Sequence, residues 1–240
     1  MNAAYTARYQ AYREQIEEQL FWPADQVQPE AEVLALSPEY SLRSQDHAGE
    51  IAGRDLYGSA HELLDAQGRI LYSWHDLDAD GEFCRLITHA NGQQYLIFRQ
   101  DLYGYSVLEV QSGRAFHYLP EEAFPEDAAD FRETFIWTDV HYDPSSSLLA
   151  VTGCYWASPY SVLLLDFTEP LQEQPWLEVH ELLDPAYEKY DDIDFTAWLP
   201  GEGLLLEGYD IQTEKKERLL LSVSTIRQEL DQLAKALRQE

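Results

Sequence analysis

The chain has 240 residues, with 16 Lys and Arg against 44 Asp and Glu, giving a formal charge of −28. That charge repels phosphate backbones and anionic lipid, which argues against nucleic acid and membrane surfaces as partners and favours a basic protein or peptide. Cys84 and Cys154 lack CxxC spacing, so no disulfide framework or zinc knuckle is expected, and a reducing, cytoplasmic compartment is. The amino terminus lacks a basic segment followed by an apolar run, and no apolar stretch is long enough to span a bilayer.

The first element is a helix over 2–20, where Tyr5, Tyr9, Tyr12, Ile16 and Leu20 recur at spacings of three and four and Pro23 follows. Residues 21–57, with Pro23, Pro29, Pro38 and the polar "RSQDHAGE", read as irregular apart from a short strand at "EVLAL". From 58 to 223 the pattern changes to short runs rich in Val, Leu, Ile, Tyr and Phe. They are separated by turn signals such as "DAQG", "DADG", "ANGQ", "DPSS" and "PGEG", the mark of antiparallel β structure. A second helix is expected over 225–239, with Ile226, Leu230, Leu233 and Leu237 on one stripe and Thr225 and Gln228 in capping-box spacing.

The β region repeats itself. Units at about 83–120, 135–182 and 192–223 each run strand, polar turn, strand, variable loop, strand, and a unit at about 58–82 resembles the end of one. Tyr-Ser-Val-Leu recurs at 105–108 and 160–163, and Gly68-Arg69 matches Gly113-Arg114. A sheet of about four strands buries its faces only by stacking on its neighbours. The expected fold is therefore mainly β: one domain of three to four repeated antiparallel sheets, in a small or open propeller-like array, with a helix at each end. "YDPSSSLLAVTG" followed by "VLLLDF" resembles the turn, second strand and third strand of a WD-repeat blade, and the resemblance implies stacked four-stranded sheets. No GH dipeptide opens a unit and no WD dipeptide closes one.

Two acidic motifs invite a metal reading. In "DVHYD", Asp139, His141 and Asp143 alternate along a strand and share one face. With His89 from the preceding unit they could hold a divalent ion for a metal-dependent hydrolase, or they could serve the backbone, with Asp143 capping its turn. In "DLDADGEF", Asp76, Asp78 and Asp80 followed by Gly81 match the first half of a calcium loop. Ile87 stands where an EF-hand needs glutamate, and an acidic Asp-Gly hairpin connection accounts for the motif better. No GxSxG, HExxH, GxxxxGK or GxGxxG signature is present.

Loops at equivalent places in three units read "RQDLYGY", "GCYWASPY" and "EGYDIQTEKKE". If the repeats superpose, Tyr103, Tyr105, Tyr155, Trp156, Tyr160 and Tyr209, edged by Asp101 and Asp210, form one aromatic and acidic rim suited to protein contact. The expected function is a non-enzymatic interaction protein for a basic protein or peptide, with no required cofactor. The alternatives are the hydrolase above and an acidic, antitoxin-like inhibitor covering the cationic groove of a nuclease.

Overall fold

A computed structural model describes residues 2–21, 30–51, 53–77, 83–156, 158–184 and 188–237. The chain divides into two compact units. Unit 1 comprises residues 1–86 and 94–134, and unit 2 comprises residues 87–93 and 135–240.

Unit 1 opens with a 3-10 turn at Ala3–Tyr5 and then α1, Ala7–Leu20, whose cap is Thr6 accepting from the Tyr9 amide. The buried stripe of α1 is Tyr9, Arg13, Ile16 and Leu20, while Tyr5 and Tyr12 face solvent. An arginine thus occupies a position that apolar periodicity would not select. Two four-stranded sheets follow. The first contains β1 (Glu32–Ala35), β2 (Tyr40–Ile51), β3 (Arg54–Asp65) and β4 (Ile70–Asp76) in sequence order. The second contains β5 (Cys84–Thr88, whose last two residues are counted in unit 2), β6 (Gln94–Phe98), β7 (Tyr105–Glu109) and β8 (Arg114–Tyr118), again in order. Leu42, Leu63 and Trp74 from the first sheet pack with Leu96, Phe98 and Leu108 from the second.

The stretch 21–57, expected to be irregular apart from a strand at "EVLAL", holds that strand as β1 and also all of β2 and the start of β3. The polar "RSQDHAGE" is strand because every residue from Tyr40 to Ile51 pairs with β3. Its far end is covered by α1 instead of a second sheet. A Cβ on Gly58 would lie 2.6 Å from the Asp76 carbonyl oxygen and 2.8 Å from Leu20, and one on Gly49 would lie 3.3 Å from Leu20. Close approach of the helix thus selects glycine where a sheet-packed strand would carry Val or Ile. That removes the alternation by which a strand is read.

Unit 2 has β9 (Ile136–Asp143), β10 (Leu148–Cys154), β11 (Tyr160–Asp166) and β12 (Trp176–Glu178) in one sheet. A three-stranded sheet of β13 (Tyr190–Leu199), β14 (Gly203–Asp210) and β15 (Lys215–Leu221) follows. The stretch "WLEVHELL" is strand only to Glu178; Val179–Leu183 form a short helix, α2. The terminal helix α3 spans Val223–Leu237. Its first turn is closed by Ser222, whose hydroxyl accepts from the Thr225 amide, so Ser222 and not Thr225 is the cap. Leu148, Ala150, Val162 and Leu164 face Ile193, Leu204 and Leu206 across the core, which Ile226 and Leu230 of α3 complete.

The protein is mainly β, built of repeated antiparallel sheets with helices near both ends. In every sheet the neighbours in space are neighbours in sequence, the meander order of a propeller blade, so the WD-repeat resemblance holds at the level of the single unit.

Candidate interaction surfaces

The structure sorts the expected rim residues by what each one touches. In unit 1, Asp101 is an interior anion instead of a rim acid. Tyr9 donates a hydrogen bond to it, Arg13 Nη1 lies 3.3 Å from Oδ1, and His117 Nε2 lies 3.4 Å from Oδ2. Arg13 also donates to the Gln100 carbonyl at 2.7 Å and to Glu17 at 2.7 Å. Burial would raise the Asp101 carboxyl, but the His117 hydrogen bond and the Arg13 charge outweigh it and hold the group below the usual carboxylate range. Tyr105 is core, 3 % exposed, and packs on Phe116 and Tyr118. Tyr103 is partly buried against Phe131, and burial pushes its phenol up.

In unit 2, Asp210 is buried at a turn, where it accepts from the amides of Gln212 and Thr213 at 2.8 Å each. Those bonds hold its carboxyl low, led by the one from Thr213. Tyr155 is half-buried, edge-on to Phe135, and its hydroxyl donates to Glu178 at 3.3 Å. The surface aromatics are Trp156 (63 % exposed), Tyr160 (47 % exposed) and Tyr209 (36 % exposed). Trp156 and Tyr160 belong to one β10–β11 connection, whose ends meet at the Cys154–Tyr160 pair. The Tyr160 amide donates to Asp192 Oδ1 at 2.8 Å, which ties this connection to the start of β13. Tyr209 lies on β14, and exposed Asp191 sits beside Asp192.

The acidic motifs have structural engagements. Asp143 caps its turn by accepting from the Ser145 amide and the Ser145 and Ser146 hydroxyls. Against the effect of burial, these bonds hold its carboxyl low. Asp139 accepts from the Val140 amide at 2.7 Å. The His141 ring stacks on Phe195 with centroids 3.6 Å apart and planes 1° apart, and its carbonyl accepts from the Trp198 indole at 2.9 Å. His89 is buried: Nε2 lies 2.9 Å from the Phe167 carbonyl and Nδ1 accepts from the Asn91 amide at 3.2 Å, leaving neither ring nitrogen to a metal. Among the described residues no three His, Cys, Asp or Glu side chains gather as a metal site. Asp76 is buried at the end of β4, and Asp78, Asp80 and Gly81 lie outside the described residues.

Ser–His pairs with a buried serine escaped the sequence reading. Ser44 bonds His61 at 2.9 Å, Ser106 bonds His117 at 2.8 Å, and Ser161 bonds His180 at 2.9 Å. With Asp101 beyond His117, the second pair has the outline of a Ser-His-Asp relay. Ser106 is fully buried, however, so no substrate reaches it, and the group is a clamp within the sheet. The signal was present: Ser106 and Ser161 stand in the repeated Tyr-Ser-Val-Leu, and a histidine follows each in the fourth strand or just after it.

No protein-family model matches the chain. An uncharacterized protein of Acanthamoeba polyphaga mimivirus is 27 % identical over 88 residues, which are 37 % of this chain and 32 % of the viral protein. The match thus spans about a third of the length of that relative. A crystal structure of HIRA residues 644–1017 aligns with 82 % of this chain and 57 % of its own, at 14 % identity and a TM-score of 0.34. So loose a superposition assigns neither fold nor function. Among the described residues no helix is long and apolar enough to cross a membrane.

Proposed function

We propose that this chain is a non-enzymatic, cytoplasmic interaction protein that captures a basic segment of a partner protein on the β10–β11 connection of unit 2. The observation that carries the reading is the exposure of Trp156, whose large apolar ring is left in water at 63 % of its surface. Buried at a contact, such a ring is worth several kcal/mol, on the order of a hot-spot residue. Tyr160 in the same connection adds a second amphipathic ring. Asp191 and Asp192, on the strand to which that connection is tied, supply negative charge for a Lys or Arg side chain lying over the aromatic faces. The charge of −28 speeds encounter with a cationic partner at low salt.

The test is affinity capture from lysate of the source organism at low and moderate salt, comparing wild type with Trp156→Ala, Tyr160→Ala and their double variant. A stoichiometric basic protein retained at moderate salt by wild type and lost by the double variant is the expected result. Retention of the same proteins by both, or their complete loss with salt, would overturn the reading.

A further inference from the structure

We infer that the outer edge of β15 is a docking site for an extended strand of a partner protein, added as the fourth strand of the last sheet. Three of the four sheets have four strands; the last ends at β15, and among the described residues no strand pairs with its far side. An unpaired edge presents backbone donors and acceptors that an incoming strand can satisfy.

The preceding sheet of the same unit shows what belongs there. In it, Leu149 pairs with Leu165 and Ala150 with Leu164; Leu165 and Leu164 then pair with Trp176 and Leu177 of β12. In the last sheet Leu205 pairs with Leu220 and Leu206 with Leu219, and the row stops. Leu164, flanked by β12, is fully buried, whereas Leu219 on the same core is only partly so. On the opposite face Leu165 is 1 % exposed and Leu220 is 52 % exposed. The occupant is therefore a short extended segment with an aliphatic residue beside Leu219 and an aromatic or aliphatic one beside Leu220, as β12 places Leu177 and Trp176.

The charge pattern narrows where it binds and what it is. Lys215, Lys216 and Arg218 guard the first half of β15, the usual protection of an exposed edge. The second half is Leu219-Leu220-Leu221 and carries no such guard. A second copy of the chain would bring another −28 to the edge, which works against self-pairing. No Ser–His clamp is built in either. Opposite Gly208, where the previous sheet has Ser161 opposite Gly153, stands Glu217, bound to Lys189 and Tyr190. A strand held there lacks the lock that fixes β12, which suits a partner that comes and goes.

The probe is a fluorescein-labelled EQPWLEV peptide, the chain's own residues 173–179, titrated against the full chain by anisotropy at about 0.5 M salt to screen the charge. Saturable binding is expected, with hydrogen exchange slowed in 215–221. The same peptide N-methylated at alternate residues should not bind, because it keeps the side chains but loses the backbone donors. Leu220→Lys, at an exposed position, should weaken binding about fivefold, the size of a lost cross-strand pair. Trp156→Ala should bind the peptide as wild type does, which separates this edge from the β10–β11 surface. The inference is overturned by lack of saturable binding, by equal binding of the N-methylated peptide, or by protection outside 215–221. A dimer of the free chain that protects 215–221 and is abolished by Leu220→Lys would overturn it too, in favour of a second copy.

Discussion

Tyr9 and Asp101, 92 residues apart in sequence, share a hydrogen bond in the interior of unit 1, and Arg13 lies against both. This bond and its neighbours fasten α1 to the second sheet. The guanidinium is buried and the carboxylate largely so; both are costly to desolvate, so both depend on the bonds this network makes to them.

Removing one partner should therefore be costly. Asp101→Ala and Arg13→Ala are each expected to destabilise the protein by about 1–3 kcal/mol, because each takes a partner from a polar network inside unit 1 while Glu17 stays with Arg13, and Tyr9 and His117 with Asp101. The double variant should cost less than the sum of the two. Urea denaturation of the four proteins measures all three quantities.

Stability should fall in acid in two stages. Asp101 and Glu17 have lowered carboxyl pKa values; burial opposes the shift, and hydrogen bonds from His117 and His75 respectively, with the Arg13 charge, outweigh it. Their contribution is complete above an ordinary carboxyl pKa of about 4 and is lost as pH falls through the lowered folded values. His47 is lowered by burial and by the charge of His75. Its contribution is complete above about 6.5 and is lost first, as pH falls through its lowered value. Melting temperature against pH should show a shallow decline starting near that point and a steep one below the carboxyl range. Asp101→Asn should flatten the steep limb, and a profile without an acid limb would refute the assignment.

Two aromatic residues expected on one rim should behave oppositely. Trp156→Ala should change stability by no more than about 0.5 kcal/mol, as surface substitutions do. Tyr105→Ala should cost about 3–5 kcal/mol, the size of a large-to-small change in a packed core. Thermal melts of the two variants decide between a surface and a core role for each ring.

The "DVHYD" and "DLDADG" motifs separate in the same assay. Zinc or a chelator should leave the melt of wild type unchanged, and His141→Ala should cost about 1 kcal/mol through loss of its stack on Phe195. Stoichiometric metal lost with His141 would revive the hydrolase. Calcium that raises the melting temperature of wild type but not of Asp78→Asn would establish the loop as a calcium clip.

The sequence by itself determined the two helices, the antiparallel character of the body and the recurring sheet, because 3.6- and 2-residue periodicity and turn chemistry are local properties. It also pointed to the β10–β11 connection, since a run of Tyr and Trp between strands is visible without a fold. Tertiary structure alone decided which of these side chains meet water. Tyr105 and Tyr160 both open a third strand with the words Tyr-Ser-Val-Leu, yet the first is core and the second is half exposed. Asp101 reads as a loop acid until α1 brings Tyr9 and Arg13 to it, and Arg13 breaks the apolar stripe for that same reason. β2 and the start of β3 were hidden because glycines facing α1 replace the apolar alternation that marks a strand. Burial and pairing belong to two segments at once, and one segment's composition carries no record of what lies against it.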